Sequence, residues 1–217
     1  MRRYGAVLGI AFALMSASGA EAASFRLAGD TIAVPEPQGF CEPQGAYIDF
    51  AQALAAADNK NLTLLTLYNC AEMTSGGAVA HYALVKTPTA AITQRATRDE
   101  LLKAMGDIPK SELTTALLNE QVQKEMGENA SKVFGRNVAF AGKIVPIDKD
   151  EAAFYMGGLI TVKTNSGEST GVVVVAMTTI KGHILTYNLY GPGGGTTEIA
   201  TVLKQAKSDI RSMIAAN

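Results

Sequence analysis

Cysteine and histidine are the residue types in this chain with the widest chemistry, and each occurs twice. An even pair of cysteines in an oxidising compartment is most simply a disulfide. A Cys41–Cys70 bridge would close a loop of about 30 residues and add roughly 3 to 4 kcal/mol of stability. A metal or redox pair is the alternative, but the spacing is far from Cys-x-x-Cys, and His81 and His183 show no ligand-like spacing. We expect the disulfide, with no metal and no cofactor.

A glycine-rich loop, Gly191–Thr196, is the second feature with chemical potential, because it directly precedes the last predicted helix. Backbone amides and the helix dipole can hold an anion at such a position. The loop lacks the lysine of a Walker A motif and the spacing of a dinucleotide fingerprint. A tight turn from strand to helix, with Thr196 or Thr197 as the N-cap, explains the glycines more simply. The possible anion or ligand site comprises Gly193, Gly194, Gly195, Thr196 and His183.

The histidines and clustered acids also have structural explanations. His183 begins a strand on the same face as Leu185, so it is expected to be the polar end of a core-facing strand. His81 follows a Ser-Gly-Gly loop that begins at Ser75, but neither a Gly-x-Ser-x-Gly elbow nor a placed acid supports acyl transfer. No catalytic residue is predicted. A solvated turn is expected for the acidic cluster, which lacks the pattern of a calcium loop: Asp148, Asp150 and Glu151.

The first 22 residues have the three-part order of a secretory signal peptide. Two arginines near the start are followed by an apolar run from Ala6 to Met15 and by small residues up to Ala22. The run is about half of the roughly 20 residues that a membrane span requires, and no later stretch is long enough. We therefore expect cleavage between Ala22 and Ala23, which leaves residues 23–217 as a single domain in the periplasm or secreted.

Composition narrows the classes of partner. The formal net charge of -1 becomes -2 once the two arginines and one glutamate of the signal are removed, so neither nucleic acid nor an anionic membrane is indicated. The aromatic content is 6% and there is no tryptophan, so a stacking platform for bases or sugars is not indicated either. The hydrophobic residues suffice for one core.

Helices are predicted in the middle of the chain and strands near its end. A capping box at Thr97–Glu100 begins one helix, and a helical pattern from Lys110 to Lys132 is mostly polar beyond Asn119. The other predicted elements are a strand over Thr31–Val34, a helix over Tyr47–Ala57, a strand over Asn61–Cys70, strands over Val138–Ile147, Ala153–Thr164, Gly171–Ile180 and His183–Tyr190, and a last helix with an apolar stripe from Ile199 to Ile214.

This order indicates an α+β fold, a single-domain sandwich in which helices pack on an antiparallel sheet and a long helix ends the chain. It resembles the Mog1/PsbP-like superfamily in the extended segment Ile32–Phe40, the strands within Ala153–Tyr190 and the terminal helix. The resemblance covers about half of the exported part and contains no catalytic motif. Because proteins of this fold are often accessory or binding proteins, it implies no reaction. The two cysteines and the polar helix have no counterpart in it.

Three functions are compatible with these residues. The first is a non-enzymatic accessory or binding protein that acts on another envelope protein or component. The second is a small-anion binder or enzyme that uses the glycine-rich loop with His183, which requires a pocket where the two meet. The third is a structural subunit that assembles through the Lys110–Lys132 helix. We expect the first.

The export signal and the disulfide can be tested together on protein isolated from its own cells. The mass of the isolated chain should correspond to a start at Ala23, and Cys41 and Cys70 should resist alkylation until a reductant is added. A chain that keeps its first 22 residues, or cysteines that react without reduction, would contradict this prediction.

Overall fold

The computed structural model describes residues 22–108, 120–135 and 137–217. The predicted signal peptide lies outside the described residues, as does the first part of the Lys110–Lys132 pattern. The helices in the described part are α1 (Ala46–Ala57), α2 (Cys70–Thr74), α3 (Arg98–Asp107), α4 (Glu120–Phe134) and α5 (Thr196–Ala215), with a short 3-10 helix at Thr89–Ala91. The strands are β1 (Ala23–Leu27), β2 (Asp30–Val34), β3 (Phe40–Cys41), β4 (Asn61–Asn69), β5 (Tyr82–Pro88), β6 (Val138–Lys149), β7 (Phe154–Thr164), β8 (Gly167–Ile180) and β9 (His183–Pro192).

Seven strands form one antiparallel sheet in the order β3-β4-β5-β9-β8-β7-β6, and β1 and β2 form a separate hairpin. The four predicted strands near the end of the chain are consecutive neighbours, as expected from the turn residues between them. Lys181 and Gly182 both have positive φ, which suits the two-residue turn between β8 and β9. The α+β class predicted from the sequence is confirmed.

Cys70 begins a helix instead of ending a strand, contrary to the prediction. The side chain of Asn69 accepts a hydrogen bond of 3.1 Å from the amide of Glu72, and this N-cap starts α2 directly after β4. The hydrophobic pattern of Asn61–Cys70 indicated the strand correctly. It did not indicate that Asn69 would end the strand by capping the next helix.

One face of the sheet is closed by α5 and by the β1–β2 hairpin. The predicted stripe of α5 faces the sheet, where Ala206, Ile210 and Met213 are buried. They share a core with apolar residues of the central strands, namely Leu67, Ala83, Val85, Val174, Ala176, Leu185, Tyr187 and Leu189. Burial of this continuous apolar surface is the main contribution to stability.

The other face is covered in part by α3, which begins with the predicted capping box. The amide of Glu100 donates to the Thr97 hydroxyl at 3.2 Å, and the Glu100 carboxylate accepts from the amide of Thr97 at 2.8 Å. Hydrogen bonds from Thr97 hold the pKa of Glu100 below its ordinary value. The buried side of α3 packs on β6, β7 and β8 through Leu101, Leu102 and Met105.

The acidic cluster between β6 and β7 is only in part the solvated turn expected from the sequence, since Glu151 is 83% exposed but Asp150 is not. Asp150 is 13% exposed, and its carboxylate accepts hydrogen bonds from the amides of Ala152 (3.0 Å) and Ala153 (3.1 Å). Arg211 of α5 pairs with the same carboxylate at 3.1 Å, and Lys207 pairs with Asp148. The acids therefore fasten the β6–β7 turn to α5, which sequence spacing alone could not reveal.

Asp209 of α5 is a half-buried carboxyl group without a basic partner among the described residues. Its Oδ2 accepts a hydrogen bond of 2.8 Å from the hydroxyl of Tyr187, which is 1% exposed. Burial raises the pKa of Asp209 to about 6, and the hydrogen bond from Tyr187 offsets only part of this rise. Near neutral pH the Asp209 side chain is therefore ionised although its half-buried position disfavours the charged form, which lowers the stability of the fold.

Substitution of Asp209 by Asn should raise stability at neutral pH. Because the folded-state pKa lies above the unfolded value, the stabilisation from this group is complete at low pH and is lost as the pH rises through about 6. Asp209→Asn keeps an acceptor for Tyr187 and should raise the free energy of unfolding by about 1–2 kcal/mol at pH 7.5, after allowance for solvent screening.

Urea unfolding at pH 7.5 and pH 5 measures this effect, with the exposed Asp107→Asn as the matched control. The advantage of Asp209→Asn over the unsubstituted chain should shrink at pH 5, while the control should show no such change. An advantage of equal size at both pH values would mean that Asp209 does not titrate in this range.

Candidate functional site

The two parts of the predicted anion site lie at opposite ends of β9. His183 is the first residue of this ten-residue strand and the glycine-rich loop follows its end, so about 30 Å separates them. The buried His183 side chain lies 2.9 Å from the carboxylate of Asp30 at the β1–β2 turn and contacts the Arg95 guanidinium. The structure therefore uses His183 to hold the hairpin, and it does not bring it to the loop.

The glycine-rich loop contacts a carboxylate of its own chain. Added Cβ atoms would lie 2.7 Å from Glu198 Cγ at Gly193 and 2.5 Å from Glu198 Oε2 at Gly195. The N-cap of α5 is Gly195, not Thr196 or Thr197 as expected. The Glu198 carboxylate thus lies in the first turn, where the helix dipole favours negative charge. Anion binding at the loop stays a prediction, and an added anion would meet Glu198 there.

His81, rather than His183, lies beside the glycine-rich loop. A Cβ atom at Gly191 would be 3.7 Å from His81 Cδ2. The Nδ1 atom of His81 is 2.5 Å from Glu72 Oε1, and Glu72 Oε2 accepts from the amides of Ala80 (2.7 Å) and His81 (3.0 Å). Burial alone raises the pKa of Glu72, but these hydrogen bonds outweigh it and the pKa is lowered. Glu72 is thus an acidic partner of His81 that could not be identified from the sequence.

The predicted disulfide joins Cys41 and Cys70, whose Cα atoms are 5.5 Å apart. It connects β3 to the first residue of α2, and β3 pairs with the last residues of β4. β3 has only two residues, so the bridge and the burial of Phe40 in the core both help to hold this edge of the sheet in place.

Four of the seven tyrosines gather next to this disulfide, although the low aromatic content argued against a stacking platform. Tyr68, Tyr82 and Tyr190 are direct neighbours across β4, β5 and β9. The rings of Tyr82 and Tyr190 stack with centroids 4.2 Å apart, and Tyr47 of α1 lies edge-on to Tyr68 at 6.0 Å. Strand register collects these rings, which pack on one another and not on a base or sugar, so the expectation from composition stays a prediction.

Polar side chains adjoin the stacked tyrosines on the same face of the sheet. Thr186 and Asn188 lie on the same face of β9 as Tyr190, because every second residue of a strand points to the same side. They are only 9% and 8% exposed. The Asn188 amide donates to the Thr186 hydroxyl at 3.0 Å. Lys86 lies opposite Thr186 in β5. We define the polar patch as Tyr82, Lys86, Thr186, Asn188 and Tyr190.

The polar patch is close to electrically neutral. Lys86 pairs with Asp58 at 2.7 Å, and the two side chains are 16% and 21% exposed. Burial alone raises the pKa of Asp58, but the interactions with Lys86 and the hydrogen bonds from Asn61 together outweigh it, so the pKa is lowered and the carboxyl group is charged at neutral pH. Burial raises the pKa of Tyr82 and of Tyr190, which remain uncharged hydroxyl groups. The patch therefore combines aromatic rings and hydrogen-bonding groups without net charge, and its side chains are largely buried.

Tyr68, next to the polar patch, contains a buried hydroxyl that has no hydrogen-bond partner among the described residues. The residue is 2% exposed, and burial raises its pKa to about 12. A buried hydroxyl without a partner loses its hydrogen bonds to water without compensation, which typically costs about 1–3 kcal/mol. A ligand or water that reached this hydroxyl would recover part of that cost.

A separate groove of about 650 Å³ lies between the start of α3 and the β8–β9 turn. Its lining includes Arg95, Arg98 and Lys181.

Within residues 22–108, 120–135 and 137–217, no group of three or more His, Cys, Asp or Glu side chains is placed to hold a metal ion. In the same residues, none of the helices combines the length and apolarity needed to cross a membrane.

Removal of the Tyr68 hydroxyl tests whether it is truly unpartnered. Tyr68→Phe should raise the free energy of unfolding by about 1 kcal/mol, because it deletes a buried donor that has no acceptor. The matched variant Tyr187→Phe deletes a hydroxyl that donates to Asp209, and it should lower stability by about 2 kcal/mol. Urea unfolding measures both, and a loss of stability in Tyr68→Phe would reveal a partner for this hydroxyl.

Comparisons with known proteins give a likeness of fold alone. No protein-family model matches the chain, and no curated protein matches it. The chain is similar to the solution structure of cyanobacterial PsbP (CyanoP) from Synechocystis sp. PCC 6803, with 11% sequence identity and a TM-score of 0.33 over 94% of this chain and 96% of that chain.

Proposed function

We propose that residues 23–217 form an exported binding protein of the periplasm or cell exterior, an accessory to another envelope protein or component that catalyses no reaction. The polar patch carries this proposal. Asn188, Thr186 and Lys86 occupy the centre of a sheet, where apolar residues would pack at lower cost. Departures from hydrophobic patterning in a folded protein concentrate at functional sites.

The disulfide supports the proposed compartment. Cys41 and Cys70 are within bonding geometry in the fold, and such bridges form and persist in the periplasm and outside the cell but are rare in the cytosol. The cleaved signal predicted from the first 22 residues leads to the same compartment. A protein that depends on this bridge for its β3 edge requires export to be fully stable.

The chemistry of the polar patch favours binding over catalysis. Its tyrosines are uncharged, and its one cation is neutralised by Asp58. The acid–base pair of His81 and Glu72 belongs to the opposite face, because consecutive residues of a strand point to opposite sides and His81 directly precedes Tyr82. A ligand or partner on the patch therefore meets aromatic and amide groups rather than a proton donor or acceptor suited to catalysis.

The enzyme or anion-binder alternative at the glycine-rich loop has weaker support. His183 is committed to Asp30 and lies at the far end of β9 from the loop. Glu198 lies against the loop itself. The two residue sets do not line one pocket, which that alternative requires.

Affinity capture with matched ion-pair variants tests the proposal. In Lys86→Met/Asp58→Asn, both partners of the patch ion pair are neutralised together, which avoids leaving a lone buried charge. In the control Lys163→Met/Glu168→Gln, an exposed pair of 3.1 Å at the tip of β7 and β8 is neutralised. Immobilised oxidised protein is exposed to envelope extract, and the retained species are quantified by mass spectrometry.

We expect one envelope component to be retained by the unsubstituted chain and by the control, and to be reduced about tenfold or more by the patch variant, the loss expected from a central contact. Thermal unfolding confirms beforehand that both variants fold. Equal retention by the patch variant would show that the patch is not the binding surface. If none of the three proteins retains a specific component, the proposed function fails.

A further inference from the structure

The groove between α3 and the β8–β9 turn contains two cations without a carboxylate partner among the described residues. Arg98 lies in the first turn of α3, and its Nη2 reaches only the carbonyl oxygen of Thr179, at 3.4 Å. Its buried Nε has no hydrogen-bond partner within residues 22–108, 120–135 and 137–217. Lys181, on the turn, donates to the carbonyl oxygen of Thr31 at 2.8 Å. Among the described residues, neither cation therefore has a carboxylate within ion-pair distance, although Lys181 lies near enough to Asp30 to help lower the pKa of that carboxyl group.

The carboxylates near the groove are engaged elsewhere, with one exception. Glu100 accepts hydrogen bonds from the amide and hydroxyl of Thr97, at 2.8 and 2.7 Å. Asp30 holds Arg95 and His183, each at 2.9 Å. Asp99 also lines the groove and opposes negative charge there. Arg98 and Lys181, neither of them in a direct ion pair with a described residue, thus share the groove with Asp99.

We propose that this groove binds an oxyanion, a phosphate, sulfate or carboxylate group, between Arg98 and Lys181. The guanidinium offers parallel N–H donors that match such a group, and the ammonium adds a second positive charge. The amino end of α3 contributes its dipole in the same direction. The site is distinct from the polar patch and from the glycine-rich loop, and it does not depend on the proposed function.

Calorimetric titration of the whole exported domain with inorganic phosphate tests the site, with ionic strength held constant by chloride because surface charges are screened by salt. Arg98→Gln and Lys181→Gln should each weaken phosphate binding about tenfold, the cost of one lost charged hydrogen bond. Lys204→Gln, an exposed lysine on α5, is the matched control and should leave the affinity unchanged.

Asp99→Asn provides a measurement in which phosphate binding should become tighter, a result that misfolding of the variant could not produce. Removal of its charge should tighten phosphate binding several-fold, because the opposing carboxylate is lost. Parallel titrations with sulfate and succinate, and with vesicles that contain phosphatidylglycerol or only phosphatidylcholine, distinguish free oxyanions from a lipid headgroup. The proposal is overturned if no saturable binding occurs, or if the affinity is the same in Arg98→Gln and Lys181→Gln as in the control.

Discussion

The alternation of side chains along β9 is the constraint on which the rest of the structure depends. This strand lies between β5 and β8 near the middle of the sheet, so both of its faces must be accommodated inside the fold. Leu185, Tyr187 and Leu189 face α5 and the β1–β2 hairpin in the larger core. The alternate residues Thr186 and Asn188 face the other way and are nearly as buried. The side chains of one face are stabilised by apolar packing, and the polar side chains of the other face are stabilised by hydrogen bonds.

The polar residues with possible chemistry mostly fasten one element to another. His183 and Arg95 hold Asp30 at the hairpin turn, and Asp150 secures the β6–β7 turn to α5. At the end of the chain, the side-chain amide of Asn217 bonds both backbone groups of Ala33 in β2, at 3.0 and 2.8 Å. Each of these contacts stabilises a junction between elements that are distant in sequence.

The groups with functional potential lie in three separate places. The polar patch occupies the face of β5 and β9 that α5 does not cover, the His81–Glu72 pair lies at the edge beside the glycine-rich loop, and Arg98 and Lys181 lie across the start of α3. This separation is compatible with the binding function that we propose, which uses the polar patch alone. It also makes each place independently testable.

The sequence by itself determined the α+β class and most of the longer elements, because periodicity and capping are local properties, but it did not predict the short elements β1, β3 and α2. The stripe of α5, the capping box at Thr97 and the alternation from His183 to Tyr190 all follow from residue types and their spacing along the chain. Only the tertiary structure decided which residues meet. It separated His183 from the glycine-rich loop, placed Glu72 beside His81, and brought Tyr68, Tyr82 and Tyr190 together from three strands. Such contacts depend on strand order and register, which place β5 beside β9 across about 100 residues and leave no local mark on the chain.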